Sequence, residues 1–417
     1  MKQLEIIQSN LQTYNDVANA ATPQEALNLM ESFEGWGRCR NLIDSKSEES
    51  QLLTNYMGRD ILPEVQEATL TSFFTPQPVA DTIMSIVQIL YMSFVDNGIS
   101  GFPKILDPSA GAGAFTVAAR KIFYKSLIWA YEKDSFARSL MVNNKALHNH
   151  VFHEVDFVDG IRKPFNIIAS NIPFGNMTVR PSDNNFTHDP DINRLACKSI
   201  HSFYFAKASS LLLPHGLIAF ITSRSFLEAP SWQPLRTALI DEGMRVISMV
   251  RLPDNLFPTV DVGTDLIILT KTTPEECMPT SQSDELFKDG VQPTYGSDEI
   301  FPYFPLVGHE PHNGKIKNNQ FGKPSYQFQN NVMNLLPDLI YQTFSASTFS
   351  ALSQRKDIFN LSLSNRIILG IYDAARFFLP FISKENKCRH DKIIRNNSKK
   401  YQDNYAKSSQ TTTQAKN

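Results

Sequence analysis

Apolar residues change their spacing along the chain, and this change divides it into regions. In the N-terminal part they recur every three or four positions, as in an amphipathic helix; examples are Leu4, Ile7, Leu11 and Tyr14. Residues 1–70 are therefore predicted to form a helical region. From Phe73 onwards, short apolar runs alternate with amphipathic stretches, which is typical of βαβ units and a mainly parallel sheet. This pattern predicts an α/β domain over residues 71–275.

The predicted α/β domain contains seven strands, at 104–106, 127–131, 150–155, 166–170, 217–222, 246–250 and 266–270. Helices are predicted between most of them, at 114–124, 135–147, 199–213 and 233–242. The last two strands are joined by RLPDNLFPTVDVGTD, which is too irregular for a crossover helix, so the final strand is expected to run antiparallel. The predicted fold is a Rossmann-like, mostly parallel seven-stranded sheet.

The pattern weakens after residue 275. The stretch 276–383 is predicted to be a C-terminal extension whose role the sequence leaves open. Residues 384–407 hold eight Lys or Arg against three acidic residues, and a polar stretch follows them. Such a composition buries too little apolar surface to fold, so residues 384–417 are predicted to be a disordered basic tail.

Composition narrows the class of protein. With 42% hydrophobic and 20% charged side chains in 417 residues, the chain resembles an ordinary globular protein. Its four cysteines form no CxxC pair, so neither a disulfide framework nor a metal site is predicted. The sequence shows neither a signal peptide nor an apolar run of roughly 18 to 20 residues, which predicts a cytoplasmic protein without a membrane partner. Because the net charge is −2, any nucleic acid would have to bind a local basic patch.

The segment KILDPSAGAGAF, residues 104–115, carries the strongest local motif. A short strand runs into a loop of small residues and then a helix. Gly111 and Gly113 let the backbone approach a ligand at the carboxyl end of the strand. The dinucleotide fingerprint would place a third glycine at Thr116, so a nicotinamide cofactor is disfavoured. A tight strand-to-helix connection without a ligand is the alternative.

Two acidic residues follow the next two predicted strands. Glu132, in YEKD, lies roughly 20 residues beyond the glycine loop, where a carboxylate accepts both ribose hydroxyls of a nucleoside cofactor. Asp156, in EVDFVDG, is placed to accept from an adenine amino group, with Phe157 beside the adenine ring. A solvated charge at the end of a strand is the alternative interpretation of these acids.

The fourth predicted strand ends in NIIASNIPFG, residues 166–175. Methylation of an exocyclic amine requires acceptors that hold the nitrogen, because its lone pair is delocalised into the ring. Asn171 offers its side-chain carbonyl for this purpose, and Ile172 or Pro173 a backbone carbonyl. Phe174 offers a face on which an unpaired base can stack. A turn with Asn as a cap and Phe in the core is equally compatible with the pattern.

In this order and spacing, DPSAGAGAF, the acid of YEKD, Asp156-Phe157 and NIPF resemble the motifs of amino-methyltransferases, in particular the adenine-N6 DNA methylases. TSFFTPQPVADTI, residues 71–83, resembles the (F/Y)xTP segment that precedes the glycine loop in one group of this family. HSFYFAKASSLLLPHGLIAFITSRSFL and VRLPDNLFPTVDVGTDLIILTK resemble the methylase portion of large mobile-element methylase-helicase proteins.

The resemblance implies a class I methyltransferase fold that binds S-adenosylmethionine and flips an adenine out of a DNA duplex. Thr75 and Pro76 would help to hold the methionine end of the cofactor. The motif around the glycine loop adds three further cofactor-binding residues, Asp107, Pro108 and Phe115.

Several alternatives stay open. The family's commonest tetrapeptide is NPPY or NPPF, and Ile172 in the second position fits if only its backbone carbonyl takes part. NIPF also resembles ribosomal-RNA adenine dimethyltransferases, so RNA is an alternative substrate, although the FFTP segment favours DNA. A protein glutamine amide poses the same chemical problem. No Walker-type GxxxxGK[ST] motif is found, so the chain is expected to be a stand-alone methylase or a piece of a longer ancestor. The rival from another class is a catalytically silent remnant that binds DNA or a partner, which the weakly patterned C-terminal region favours, because a target-recognition domain would be expected there. The target sequence and the oligomeric state are not predicted.

Two further sites have less specific interpretations. His201 and Ser202 open a predicted helix, where capping is their expected role. Arg224 follows the fifth predicted strand and is a candidate to face the substrate cleft.

Overall fold

The computed structural model describes residues 3–30, 32–36, 47–54, 56, 60–63, 65–66, 73–95, 102–148, 151–160, 163–175, 177–183, 185–257, 262–273, 280–290, 303–305, 314–318, 324–328 and 340. All of them belong to one compact unit, Met1–Asn360. The predicted basic tail, residues 384–417, lies outside the described residues. So do many residues of the predicted extension at 276–383.

The described part of the N-terminal region includes the helices α1 (Gln3–Asn19), α2 (Pro23–Met30) and α3 (Glu48–Thr54). The start of α2 follows from its sequence, because Thr22 Oγ1 accepts the backbone N–H of Glu25 at 3.1 Å and Pro23 needs no partner for its nitrogen. The apolar faces of these helices pack against the helix Ser135–Asn143 of the α/β domain and against the small residues Ala110 and Ala112. The boundary at residue 70 stays a prediction.

The central sheet has eight strands, in the order β3-β2-β1-β4-β5-β7-β6-β8. They are β1 (Ile105–Asp107), β2 (Ile128–Tyr131), β3 (Val151–Glu154), β4 (Phe165–Asn171), β5 (Leu212–Ser223), β6 (Met244–Arg251), β7 (Thr264–Lys271) and β8 (Tyr303–Pro305). Strands β1 to β5 pair in parallel, and β7 runs antiparallel to both of its neighbours. The seven predicted strands and the antiparallel final strand are confirmed. The short edge strand β8 is additional.

Helices cover both faces of the sheet: α4 (Gln77–Val95), α5 (Ala114–Ile122), α6 (Ser135–Asn143), α7 (Pro190–Ala196), α8 (Ile200–Leu211), α9 (Ser225–Glu228), α10 (Gln233–Asp241) and α11 (Gln282–Asp289). Successive side chains of a strand point to opposite faces, so Ile167 belongs to the core layer beneath α4 and α5, and Ile168 to the layer beneath α8 and α10. A separate antiparallel pair consists of β9 (Gly314–Asn318) and β10 (Pro324–Phe328). Among the described residues, no helix is both long and apolar enough to cross a membrane.

The start of the fifth strand differs from the prediction. The helix predicted to reach residue 213 ends at Leu211, and the strand begins at Leu212 instead of residue 217. Leu212 pairs with Phe165, and an irregularity in the pairing between Phe165 and Ile167 absorbs the extra residues. His215 has a φ of 59° there. A tertiary contact with β4 therefore decides where the strand begins.

The prediction that His201 and Ser202 cap the start of α8 is wrong. Ser199 is the N-cap of α8, and its hydroxyl accepts the backbone N–H of Ser202 at 3.3 Å. His201 is instead fully buried between the rings of Phe226 and Trp232, and burial lowers its pKa to about 4. It is a neutral core residue.

Candidate active site

Asp107, at the end of β1, connects the glycine loop to neighbouring elements through hydrogen bonds. Its carboxylate accepts the hydroxyl of Thr116, on α5, at 2.7 Å and the hydroxyl of Ser170, on β4, at 2.8 Å. Burial raises the pKa of Asp107 to about 6, and the hydroxyl hydrogen bonds oppose this shift. Asp107 is 2% exposed, and its carboxylate is hydrogen-bonded to both hydroxyls, so its contacts position the loop. The next residue, Pro108, is also buried.

The backbone of the loop requires its glycines. Gly111 and Gly113 have φ values of 55° and 97°, in the region that side chains with a Cβ rarely adopt. A Cβ at Gly113 would lie 2.9 Å from Met141 Cγ. Gly113 is the N-cap of α5, and Phe115 in its first turn is buried in the core. A contact of Phe115 with a cofactor stays a prediction.

Glu132 connects the end of β2 to the glycine loop. One carboxylate oxygen accepts the backbone N–H of Gly111 at 2.6 Å, and the other accepts that of Asp134 at 2.7 Å. Burial, with a smaller contribution from the neighbouring Asp134 carboxylate, raises the pKa of Glu132 to about 7. These two N–H groups leave further acceptor positions on the carboxylate, which can accept about four hydrogen bonds.

The turn after β3 holds the second predicted acid. Asp156 is half-buried, and its Oδ1 accepts the backbone N–H of Val158 at 2.7 Å. Phe157 is 2% exposed, because its ring packs on Tyr204 with centroids 4.9 Å apart. Lys207, on α8, donates to the carbonyl oxygens of Phe157 and Val158 and so fixes the turn.

Asn171 ends β4 with its amide held in one orientation. Its Nδ2 donates to the backbone carbonyl of Phe73 at 2.6 Å. Its Oδ1 is buried, and in the described part of the chain it has no hydrogen-bond partner. A buried carbonyl oxygen without a donor is unfavourable by about 1 to 3 kcal/mol, which is unusual in native proteins. The preceding residue, Ser170, donates to Asp107 and to the Ser109 carbonyl, so Asn171 lies next to the glycine loop.

The turn after Asn171 presents backbone and aromatic groups. The side chain of Ile172 is buried in the core, and its N–H donates to the Ile221 carbonyl at 3.1 Å, so this position is held by its backbone and its apolar side chain. Pro173 follows and is half-buried. The ring of Phe174 stacks on Phe73 with centroids 5.3 Å apart and planes at 15°.

The FFTP segment connects the two halves of the site. Phe73 contacts Asn171 and Phe174, whereas Phe74 lies against Gly111, where an added Cβ would approach its ring to 3.2 Å. Thr75 is buried, and its Oγ1 has no hydrogen-bond partner within the described ranges. The segment leads into α4, where the backbone N–H groups of Val79 and Ala80 donate to the carbonyl of Pro76 at 3.0 and 3.2 Å.

The structure therefore brings the predicted residues together at the carboxyl ends of β1, β2, β3 and β4. It adds contacts that the sequence pattern does not indicate, above all Ser170, Lys207 and Phe257. Phe257 lies between β6 and β7, 6.2 Å from the Phe174 ring. Arg224 forms ion pairs with two acids: its Nη1 lies 3.6 Å from Asp254 Oδ2, and its Nε lies 3.8 Å from Glu228 Oε2. Its place in the substrate cleft stays a prediction.

The sheet order and the glycine loop at its centre define the class of the protein: it has the Rossmann-like fold of class I S-adenosylmethionine-dependent methyltransferases. A sequence model described as N-6 DNA Methylase matches residues 62–295, more than half of the chain. The chain belongs to this family.

The individual proteins that the chain resembles have low sequence identity to it. The type II methyltransferase M.CvrRI of Paramecium bursaria Chlorella virus XZ-6E is 25% identical over 206 residues, 48% of this chain and 48% of that protein. The chain thus spans about half the length of this relative. The type I restriction-modification methyltransferase subunit of Streptococcus thermophilus is 15% identical, with a TM-score of 0.44 and coverage of 82% of this chain and 74% of that one. The type IIG restriction endonuclease BpuSI is 16% identical, with a TM-score of 0.38 and coverage of 64% and 36%.

Proposed function

We propose that the protein transfers a methyl group from S-adenosylmethionine to N6 of adenine in DNA. The observation that carries this proposal is the buried Oδ1 of Asn171 beside the glycine loop, an acceptor to which none of the described residues donates. An amine N–H of a bound base would supply the missing donor. Membership of the N-6 DNA Methylase family supports both the cofactor and the substrate.

The reaction needs the adenine amine to be oriented and its developing positive charge to be stabilised. The hydrogen bond from Asn171 Nδ2 to the Phe73 carbonyl orients the amide, and Oδ1 accepts no hydrogen bond from the residues that the structure describes, so the amide requires no rearrangement when the base arrives. The backbone carbonyl of Ile172 or Pro173 is the proposed second acceptor. Two carbonyl oxygens can hold both amine hydrogens and direct the lone pair out of the plane of the base.

The residues around the loop fit the proposed cofactor. Thr75 Oγ1 is a buried hydroxyl whose partner is missing among the described residues, and it suits the polar methionine end, as does the backbone at Pro76. The Glu132 carboxylate has acceptor positions left for ribose hydroxyls. Asp156 is the proposed partner of the adenine amino group. S-adenosylmethionine, when bound, supplies an electrophilic methyl group.

The remaining groups have supporting roles in this proposal. Asp107 and Pro108 shape the loop, and Gly111 and Gly113 permit its close approach to a ligand. Phe115 and Phe157 are buried in the core, and their contact with the cofactor, with Phe157 beside the adenine ring, is part of the proposal. Phe174 provides stacking for a flipped base, typically about 1 to 3 kcal/mol, which offsets the few kcal/mol needed for flipping.

The test compares Asn171→Ala with a matched control at the other end of the same strand. Asn166→Ala also removes an asparagine that bonds to the backbone, the N–H of Lys104 at 2.9 Å, but far from the turn. Tritiated methyl transfer is measured with unmethylated DNA, RNA and protein pools, and modified nucleosides are identified by chromatography. We expect N6-methyladenine in DNA from the wild type and from Asn166→Ala, and none from Asn171→Ala.

Other outcomes contradict the proposal in different ways. Normal turnover in Asn171→Ala would remove the assigned role of the amide. Methylation of RNA or of protein glutamine in place of DNA would refute the proposal that DNA is the substrate. A folded wild type that binds S-adenosylmethionine but methylates no pool would identify a catalytically silent protein.

A further inference from the structure

The rings beside Asn171 are packed more closely than a base-stacking site would require. Phe73 stacks on Phe174 with planes at 15°, and Phe257 approaches the same ring at 58° with centroids 6.2 Å apart. Phe73 and Phe257 also contact each other, at 5.8 Å. As a result, Phe174 is only 8% exposed. The ring proposed to receive the base is covered.

A base can stack on Phe174 only where a face of that ring is free. Stacked aromatic groups lie with their planes nearly parallel and offset. Phe73 already has this orientation on Phe174, whereas Phe257 is tilted. The position of the Phe73 ring is thus the one that an adenine ring would take.

We propose that the Phe73 side chain is a placeholder for the target base, which covers Phe174 until the base enters and is displaced by it. This inference rests on the proposed function. It assigns Phe73 as a residue that controls access of the base to Phe174, because an incoming base must replace the stacking contact between the two rings.

The backbone of Phe73 has a separate role. Its carbonyl accepts Asn171 Nδ2 at 2.6 Å, and this bond does not involve the ring. The side chain of Phe73 is half-buried, so part of its ring is exposed. Rotation about its side-chain bonds would uncover Phe174 while the orientation of the Asn171 amide is kept. Removal of the ring should therefore affect base binding and leave the chemical step unchanged.

The test uses Phe73→Ala and measures methyl transfer to unmethylated phage DNA at saturating S-adenosylmethionine. Because the stacked pair no longer has to be broken, we expect KM for DNA to fall about three- to tenfold with kcat unchanged. The Kd for the same DNA, measured by fluorescence anisotropy, should fall in parallel. The matched control is Phe152→Ala, which removes a ring from another stacked pair, with Trp129 at 4.8 Å between centroids and planes at 23°, and should leave KM unchanged. Phe73→Leu, which keeps most of the apolar volume, replaces the alanine variant if thermal unfolding shows that the latter is not folded.

A rise in KM or a fall in kcat in Phe73→Ala would overturn the inference, because a ring that merely supports the site would give that result. An unchanged KM would overturn it as well. Failure of the proposed function is recognised separately, by a wild type that does not methylate DNA. If the wild type methylates DNA and Phe174→Ala raises KM, while Phe73→Ala does not lower it, only the placeholder role is refuted.

Discussion

Glu132 should make cofactor affinity depend on pH in the neutral range. Its pKa is raised to about 7, chiefly by burial and then by the Asp134 carboxylate. Ribose hydroxyls donate hydrogen bonds, so under the proposed function they bind the ionised carboxylate. At pH 6 about one tenth of this group is ionised, and the affinity for S-adenosylmethionine should then be about tenfold below its plateau above pH 8.

The perturbation is Glu132→Gln, and the assay is calorimetric titration with S-adenosylmethionine from pH 5.5 to 8.5. The variant should bind about tenfold or more weakly at pH 8, because a charge-assisted hydrogen bond is lost. Between pH 8 and pH 6.5 its affinity should be flat. Asp107, with a pKa of about 6, will contribute a residual dependence at lower pH in both proteins. The matched control is Glu154→Gln, an exposed acid at the end of the neighbouring strand β3, which should behave like the wild type.

The same pKa shift has a consequence for stability with the opposite sense. The pKa of Glu132 is higher in the folded protein than the ordinary 4.5, so its contribution to stability is fully present below about pH 4.5 and is lost as the pH rises through about 7. Relative to Glu132→Gln, the free energy of unfolding of the wild type should therefore decrease over this range. An identical pH dependence of both binding and unfolding in the two proteins would refute the reasoning.

Two further predictions concern packing. Gly35→Ala should lower both the melting temperature and the cofactor affinity, because its φ is 74° and the new Cβ would lie 2.0 Å from Phe74 Cδ2, whose ring lies on the glycine loop. Thermal unfolding and calorimetry check this. Gly175→Ala separates steric from backbone strain, because its φ is 130° and no described residue lies within 4 Å of the added Cβ. Arg251→Met should lower the free energy of unfolding by about 3 to 5 kcal/mol in urea titrations, because the fully buried Asp265, 2.5 Å from Arg251 Nε, would lose its counter-charge. The double variant Arg251→Met/Asp265→Leu should recover much of this loss, and no recovery would show that the uncompensated carboxylate is not its cause.

Local patterns were sufficient for most of the sheet and for the position of the glycine loop. The strands β1 to β7 contain short apolar runs. Their positions can be predicted because the apolar pattern of a strand and the turn residues that flank it lie within a few positions of each other in the sequence. The placement of Asn171 and Glu132 at strand ends follows from the same local signals. Because parallel strands end at one edge, these residues were expected to share a site.

The class of fold, the glycine loop and the residue types at the strand ends can therefore be predicted from local patterns. Which hydrogen-bonding groups are already used depends on the packing of distant segments. The carboxylate of Asp107 accepts the hydroxyls of Thr116 and Ser170. Asn171 instead donates its amide nitrogen to the Phe73 carbonyl, 98 positions away, and its Oδ1 has no partner among the described residues. The physical reason is that hydrogen bonds and ring contacts between distant segments depend on how the elements pack, which no local period encodes.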